Sequence, residues 1–306
     1  MAKIADEALV VAHRLADRPR QAVTLGSGLK VEAEFEKHLD RDWKDHRFPF
    51  SVFGINVPSI PGQEGSIVLT RFDDVDIVLL LARIHDYHMR GRMMRRLMGT
   101  KYTLMAGADR EVVYNTVGAL NHGCPVGSLI LPTKIFGAFM PAKAYLNGAE
   151  GEFVTATSVL MRADSEFHRV AIDAARTVGL KLKPDGHYAA LSGPNYEDRG
   201  DIEFLQSLGV DAAGMSGKPD LEFAAVENKD RMRMAKMLRK GEALRPWDDA
   251  RFLIKIRPAL INVVSNDETD PRPPEDDLAH DDVTDEVAKR APQIFDFLSI
   301  LLKSAW

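Results

Sequence analysis

Six short apolar runs, each closing on small or polar residues, constrain this chain more than any other feature: Ala22–Leu25, Val75–Leu81, Val112–Thr116, Ser128–Leu131, Ala189–Ser192 and Leu260–Val264. Runs this short are too brief for buried helices and suit strands covered on both faces. Helical patterns fall at 164–178, 198–208 and 282–303. Another at 3–17 sets Ile4, Ala8, Leu9, Ala12 and Leu15 on one face and stops before Pro19. Strands alternating with helices predict an α/β domain with a central mixed, largely parallel sheet flanked by helices. Ligands of such sheets sit beyond the carboxyl ends of the strands. The residues that close each run are therefore where chemistry is expected.

A chain of 306 residues with 45% hydrophobic content can bury one large core. No repeat or linker divides it, so a single domain over 1–306 is expected. The net charge of −5 argues against a general nucleic-acid binder. The lone cysteine, Cys124, excludes an internal disulfide and fits a reducing compartment. The first twenty residues carry acids and arginines within their apolar pattern, unlike a signal peptide. No apolar stretch approaches the ~18 residues of a membrane span. A cytoplasmic protein is the expectation. Two segments, 90–101 and 229–240, are rich in Arg, Lys and Met. They read as amphipathic helices with methionine on the buried side and charge in water, or as a basic surface for an anionic partner. Residues 267–286 are acidic and hold Pro271, Pro273 and Pro274, which reads as a solvated loop before the last helix.

Several strand-end groups can do chemistry. Gly26-Ser27-Gly28 follows the first run; small residues there let backbone N–H groups reach an anion and Ser27 adds a donor, although such a turn can be purely structural. Arg83, His85 and Tyr87 alternate after the second run, so an extended chain sends all three to one side. An arginine there binds phosphate bidentately, whereas the plain alternative is a polar strand end in water. Asn115-Thr116-Val117-Gly118 and Ser265-Asn266-Asp267 close two more runs, the latter readable as an Asx turn into the acidic loop. Gly193-Pro194-Asn195-Tyr196-Glu197 offers a ring that can stack and a carboxylate that can accept N–H bonds; Gly214-Met215-Ser216 offers a hydroxyl at a strand end. Tyr196 and Glu197 can equally be a packed ring and a helix-start acid. His280 lies at the entry to the last helix, where capping is the commoner role. No His/Cys/Asp/Glu set has metal-ligand spacing, and no Gly-x-Ser-x-Gly elbow is present.

In this order and spacing, the segments resemble the trimeric purine nucleoside phosphorylase family, which includes the methylthioadenosine phosphorylases. The likeness runs from the first helix to the last. The family's phosphate serine falls on Ser27. Its Gly-Arg-x-His-x-Tyr motif is similar to Ala82–Tyr87, which keeps the phosphate arginine Arg83, His85 and the ribose-contacting Tyr87. Its Asn-Ala-Ala-Gly-Gly loop resembles Asn115–Ala119, with the bulkier Thr116 near phosphate. Its base-pocket motif matches Gly193–Asp198, with Tyr196 stacking and Glu197 as the base-binding carboxylate. Gly-Met-Ser is intact, placing Met215 under ribose and Ser216 on phosphate; the Thr-Asn pair becomes Ser265-Asn266. His280 is similar to the histidine that contacts the 5′-hydroxyl. The family's Pro-Gly-His loop reads Pro61-Gly62-Gln63 here, so a titratable phosphate partner becomes an amide. A basic Met-rich insertion at about 226–250 also departs from the family pattern.

The resemblance implies a nucleoside phosphorylase-like fold and phosphorolysis of purine nucleosides to free purine and pentose 1-phosphate. It implies phosphate as co-substrate, no cofactor or metal, and a homotrimer without nucleic-acid or membrane partners. Asn266, Glu197 and His85 are the catalytic candidates. Ser27, Gln63, Arg83, His85, Thr116 and Ser216 are expected around phosphate, and Tyr87, Tyr196, Glu197, Met215, Asn266 and His280 around the nucleoside. Asn at 266 favours 6-oxopurines such as inosine and guanosine. The adjacent Asp267 would favour 6-aminopurines if it faced the base instead. Methylthioadenosine or adenosine phosphorolysis, non-catalytic nucleoside binding and phosphate-independent hydrolysis are the alternatives.

Overall fold

The computed structural model describes residues 21–26, 32–53, 65–81, 108–137, 145–147, 152–154, 165–193, 195–241, 255–269 and 280–306. The strands are β1 (Gln21–Leu25), β2 (Arg47–Pro49), β3 (Ser66–Phe72), β4 (Val75–Leu81), β5 (Arg110–Ala119), β6 (Leu129–Phe136), β7 (Tyr145–Asn147), β8 (Glu152–Val154), β9 (Leu182–Ala190), β10 (Ala212–Gly214) and β11 (Arg257–Asp267). The main helices are α1 (Glu166–Val178), α2 (Arg199–Ser207), α3 (Lys218–Arg239) and α4 (His280–Lys303).

The ten-residue β5 organises the molecule. Its first half pairs parallel with β1, from Gln21↔Arg110 to Thr24↔Val113. Its far end pairs antiparallel with β10, through Ala212↔Ala119 and Ala213↔Gly118. Along its other edge β11 runs parallel for almost its full length. The nine-stranded sheet has the order β10-β9-β6-β11-β5-β1-β4-β3-β2, and the β10–β5 pairing closes its first five strands into a ring. The apolar runs lie where nearly continuous hydrophobicity requires, in strands buried on both faces. Inside the ring Val113, Val117, Ile130, Tyr188, Leu260 and Val264 share one core.

On the opposite face α1 and α4 cover the sheet with Phe167, Ile294, Phe295, Phe297, Leu298 and Leu301, all fully buried. Each such side chain contributes about 1.5–3 kcal/mol relative to exposure. Ser165 starts α1 by accepting from the His168 N–H. Trp306 packs edge-on against Phe167 at 4.8 Å, and the Arg110 and Arg257 guanidinium groups sit 5.5 and 6.0 Å from its ring centre. The chain end is thereby anchored at the amino ends of β5 and β11, away from the candidate chemistry.

The expected α/β architecture holds: a mixed sheet with a parallel centre and helices on its faces. Three local expectations change. The last run continues to Asp267, so Ser265 and Asn266 lie within β11 rather than in a turn. The Asx-type contact comes later, where the Thr269 N–H donates to Asp267 Oδ1 at 2.9 Å. Segment 229–240 is helical, as the second half of α3, but its sides are not as expected: Met232 is 60% exposed while Arg231 is 3% exposed. The apolar side of α3 meets the sheet only over its first turns, through Leu221, Phe223, Ala224 and Val226. Beyond Asn228, whose amide pairs with the backbone of Ile256 at 2.7 and 2.8 Å, burial no longer follows the methionines. Glu227 and Asp109 offset the charge of the buried Arg231. The helix at 3–17, the basic segment 90–101 and the Pro-rich stretch 271–274 lie outside the described residues. Among the described residues no helix is long and apolar enough to cross a membrane.

Candidate active site

The carboxyl ends of β1, β9, β10 and the last residues of β11 converge on the middle and far end of β5. Gly26 at the end of β1 donates its N–H to the Tyr114 carbonyl at 3.1 Å. Because β10 runs antiparallel to β5, Met215 and Ser216 come back alongside Thr116 and Asn115. The Ser216 hydroxyl donates to Asn115 Oδ1 at 2.5 Å. The Asn115 amide donates to the Tyr188 hydroxyl at 3.1 Å and to Asn262 Oδ1 at 3.2 Å. Tyr188 in turn reaches the Gly214 and Ser216 carbonyls at 2.9 and 2.5 Å. Asn115, Tyr188, Asn262 and Ser216 are all buried, so this network fixes the loop backbone as well as the hydroxyl. Gly217, at φ +86°, then turns the chain into α3; a Cβ there would meet Leu260 at 2.9 Å.

A second cluster forms around Gly118. A bulge between Val264 and Asn266 sets Asn266 opposite Gly118. The Ser265 hydroxyl lies 2.9 Å from Asn266 Oδ1 and 3.1 Å from the Val117 carbonyl. The Asn266 amide donates to Glu268 Oε1 at 2.6 Å. A side chain on Gly118 would meet the Glu268 carboxylate at 2.6–2.8 Å, so glycine makes the room that this acid occupies. Asn266 and Glu268 are each 7% exposed, whereas Asp267 between them is exposed. That alternation settles the facing: Asn266 turns inward and Asp267 turns out.

Glu197 completes this cluster from the loop after β9. Asp198 and Asp201 form a capping box at the start of α2, which fixes the residue before it. Glu197 comes within reach of the charge of Glu268 and lines a cavity of about 250 Å³ with Ser192, Gly193, Asn195, Tyr196 and Asp201. Tyr196 is 44% exposed at this cavity. Burial first, then the negative charges of Glu268 and Asp201, push the Glu197 carboxyl up to about 7.

This shift has a stability consequence with a definite sign. The folded protein holds a proton on Glu197 that the unfolded chain releases near 4.5. The contribution is therefore full below pH 4.5 and is lost as pH rises through about 7. A rise from 4.5 to about 7 corresponds to about 3 kcal/mol, or about 2 kcal/mol after allowance for partial exposure. Urea unfolding at pH 4.5 and 7.5 should show wild type losing about 2 kcal/mol more than Glu197→Gln across this window. Equal losses in the two proteins would contradict the shift.

Of the sequence candidates, Thr116, Met215 and Ser216 come together at the middle of β5, and Tyr196, Glu197 and Asn266 at its far end. Ser27, Gln63, Arg83, His85 and Tyr87 lie outside the described residues, as does the side chain of His280, whose backbone opens α4. Among the described residues no His/Cys/Asp/Glu group is placed to hold a metal. Tyr188, Asn262 and Glu268 were not foreseen. A signal existed for two of them: Asn262 is a polar residue inside an apolar run, and Glu268 stands two residues after Asn266, the strand repeat.

A family model described as Phosphorylase superfamily matches residues 21–225. Purine nucleoside phosphorylase 1 of Bacillus subtilis is 26% identical over 226 residues, 72% of this chain and 79% of that protein. Mouse (Mus musculus) purine nucleoside phosphorylase is 27% identical over 216 residues, 68% of this chain and 71% of that one. The solved structure of a Schistosoma purine nucleoside phosphorylase in complex with hypoxanthine superposes with a TM-score of 0.69 at 18% identity, covering 97% of this chain and 96% of that one. The last of these speaks to the fold, and it is the α/β fold built above from the strands. With the family match spanning β1 into α3, and with β5, on which both clusters meet, inside it, this chain belongs to the phosphorylase superfamily, among the nucleoside phosphorylases.

Proposed function

We propose that this protein catalyses phosphorolysis of purine nucleosides, with 6-oxopurine nucleosides such as inosine and guanosine favoured. The observation that carries this reading is the pairing of two polar clusters on one strand. Ser216 sits at Asn115, and the Asn266–Glu268 pair, whose charge acts on Glu197, sits at Gly118. Three residues of strand separate them by about 10 Å. That spacing suits a ligand with an anion at one end, a flat heterocycle edge at the other and a sugar between.

In this reading phosphate binds at Ser216, the Thr116 backbone and the loop after Gly26, with Ser27, Gln63, Arg83 and His85 as its further partners. The Ser216 hydroxyl donates to Asn115 and rotates to donate to phosphate. Tyr196 stacks on the base, and Met215, Tyr87 and His280 seat the sugar. The C1′–N9 bond breaks with its electron pair going to the base, and a phosphate oxygen forms the new bond to C1′. Asn266 keeps one amide hydrogen beyond its bond to Glu268. It stabilises the charge developing on the purine by donating to N7 or O6. Glu197 as carboxylate accepts from N1–H. Holding both substrates in place contributes up to roughly 7–11 kcal/mol. No cofactor is needed beyond phosphate as co-substrate, and a cytoplasmic homotrimer belongs to the same reading.

The test is ultraviolet monitoring of inosine, guanosine, adenosine and methylthioadenosine with and without phosphate. The expected result is base release that requires phosphate. Release without phosphate would indicate a hydrolase, and no release would indicate a binding protein. In the same assay Asn266→Asp should move the inosine-to-adenosine kcat/KM ratio toward adenosine. An unchanged ratio would remove Asn266 from base selection.

A further inference from the structure

A second cavity, of about 310 Å³, opens where the loop after β5 meets the start of β9. Cys124, Ser128 and Leu129 line it together with Lys181, Lys183 and Asp185. It shares no lining residue with the cavity at Tyr196 and Glu197. The sheet fixes its place: Leu129 pairs with Leu182, and the Leu129 N–H donates to the Lys181 carbonyl at 2.8 Å. The two-residue repeat of an extended chain then sets Lys181 and Lys183 on one side. Burial first, then the charge of Asp211, raises the Cys124 thiol, while the charges of Lys183 and Lys181 oppose the rise. Both ammonium groups therefore stand close to this cavity wall.

Donors exceed acceptors here. Ser128 is 4% exposed, and among the described residues its hydroxyl has no hydrogen-bond partner. A buried hydroxyl left so costs about 1–3 kcal/mol, which a ligand oxygen would recover. Lys181 is exposed and has no carboxylate partner among the described residues. Lys183 Nζ stands 3.6 Å from Asp185 and 3.7 Å from Asp211, close enough for attraction but too far for an N–H···O bond. Asp211 is satisfied without it: Oδ1 accepts from the Asn121 amide at 2.7 Å and Oδ2 from the His187 N–H at 2.8 Å. Asp185 is exposed at the rim. Two ammonium groups and one buried hydroxyl thus keep hydrogens to give.

We propose that this cavity binds a phosphate group, free or as the head of a small ester, between Lys181, Lys183 and Ser128. A phosphate monoester carries about −1.5 to −2 charge at pH 7, which matches two ammonium groups better than the single charge of a carboxylate does. Lysine holds such a group as a point charge, and tetrahedral oxygens accept from donors in several directions. Leu129 and Pro184 give the cavity an apolar wall for the body of an ester. The site lies past the end of β5, whereas Ser216 meets that strand at Asn115. It holds whether or not the protein cleaves nucleosides.

Calorimetric titration with inorganic phosphate and with ribose 5-phosphate tests this, with wild type set against the Lys181→Gln/Lys183→Gln double variant. Wild type is expected to bind one more ligand per chain than the variant in at least one arm. An extra site filled by phosphate itself belongs to the free ion; one filled by ribose 5-phosphate alone belongs to an ester. Equal stoichiometry in both proteins in both arms would overturn the proposal, urea unfolding having shown that the variant is folded. Acetate filling the extra site as tightly as phosphate would overturn the assignment to phosphate. Ser128→Ala should weaken the extra site about tenfold, the scale of one hydrogen bond to a charged group. A second readout places the ligand. Cys124 is the chain's only cysteine, so alkylation by iodoacetamide reports on this cavity alone. The bound ligand should slow alkylation in wild type and leave it unchanged in the double variant. Equal slowing in both would put the ligand elsewhere and sink the proposal.

Discussion

Glu197→Ala is expected to lower kcat/KM for inosine by at least about 30-fold, the equivalent of about 2 kcal/mol of transition-state stabilisation. The expectation follows from position. Glu197 lines the 250 Å³ cavity with Tyr196 and Asp201, and it feels the charge of Glu268, which accepts from the Asn266 amide. Truncation removes the acceptor for N1–H and leaves Asn266 anchored to Glu268 with no partner across the base edge. Loss of fold would be the competing explanation, and the electrostatics separate the two. Above pH 7 the wild-type protein holds two carboxylates side by side, with Asp201 adding a third charge. Removing Glu197 relieves that repulsion, so the variant should unfold in urea at pH 8 no earlier than wild type. A rate loss with undiminished stability assigns the effect to the site. A near-wild-type rate on inosine would take Glu197 out of catalysis altogether.

How much of this was legible in the residues depends on which physical signal carried each part. The strands were, because burial on both faces leaves continuous apolar runs: Val75–Leu81 is β4 residue for residue, and Ala22–Leu25 is β1 less one. So were α1, α2 and the end of α4, where amphipathic spacing meets capping residues such as Ser165 and Asp198. The length of β11 was not, since Ser265, Asn266 and Asp267 carry turn chemistry that pairing with β5 overrides. That single misjudged boundary hid Glu268, because the two-residue repeat was not carried past Val264. The buried Tyr188 was also hidden. Its hydroxyl serves carbonyls 26 and 28 residues away in the chain, a partnership that only the β9–β10 pairing creates. The exposed Met232 reflects the same kind of limit. Helical periodicity marks an apolar stripe and not whether the tertiary structure covers it.

Asn115→Leu is expected to cost about 3–5 kcal/mol of folding stability and to weaken phosphate binding with it. Leucine is close to asparagine in length, so the strand can accept the volume; what it cannot supply is an amide. Asn115 is 1% exposed, and its oxygen accepts from Ser216 while its nitrogen serves Tyr188 and Asn262. The substitution leaves polar groups on three other elements without this partner, each buried group costing about 1–3 kcal/mol and the sum being less than additive. Urea unfolding at pH 7 measures the loss, and a change below about 1 kcal/mol would show that the network is not a support. Ser216→Ala supplies the contrast. It removes the hydroxyl that donates to Asn115 while leaving Asn115 paired to Tyr188 and Asn262, so stability should drop by only about 1 kcal/mol. The KM for phosphate should nevertheless rise in both variants, because each takes the hydroxyl out of its fixed place. If Ser216→Ala leaves the KM for phosphate unchanged while Asn115→Leu raises it, the backbone that Tyr188 and Asn115 hold binds the anion, and the hydroxyl does not.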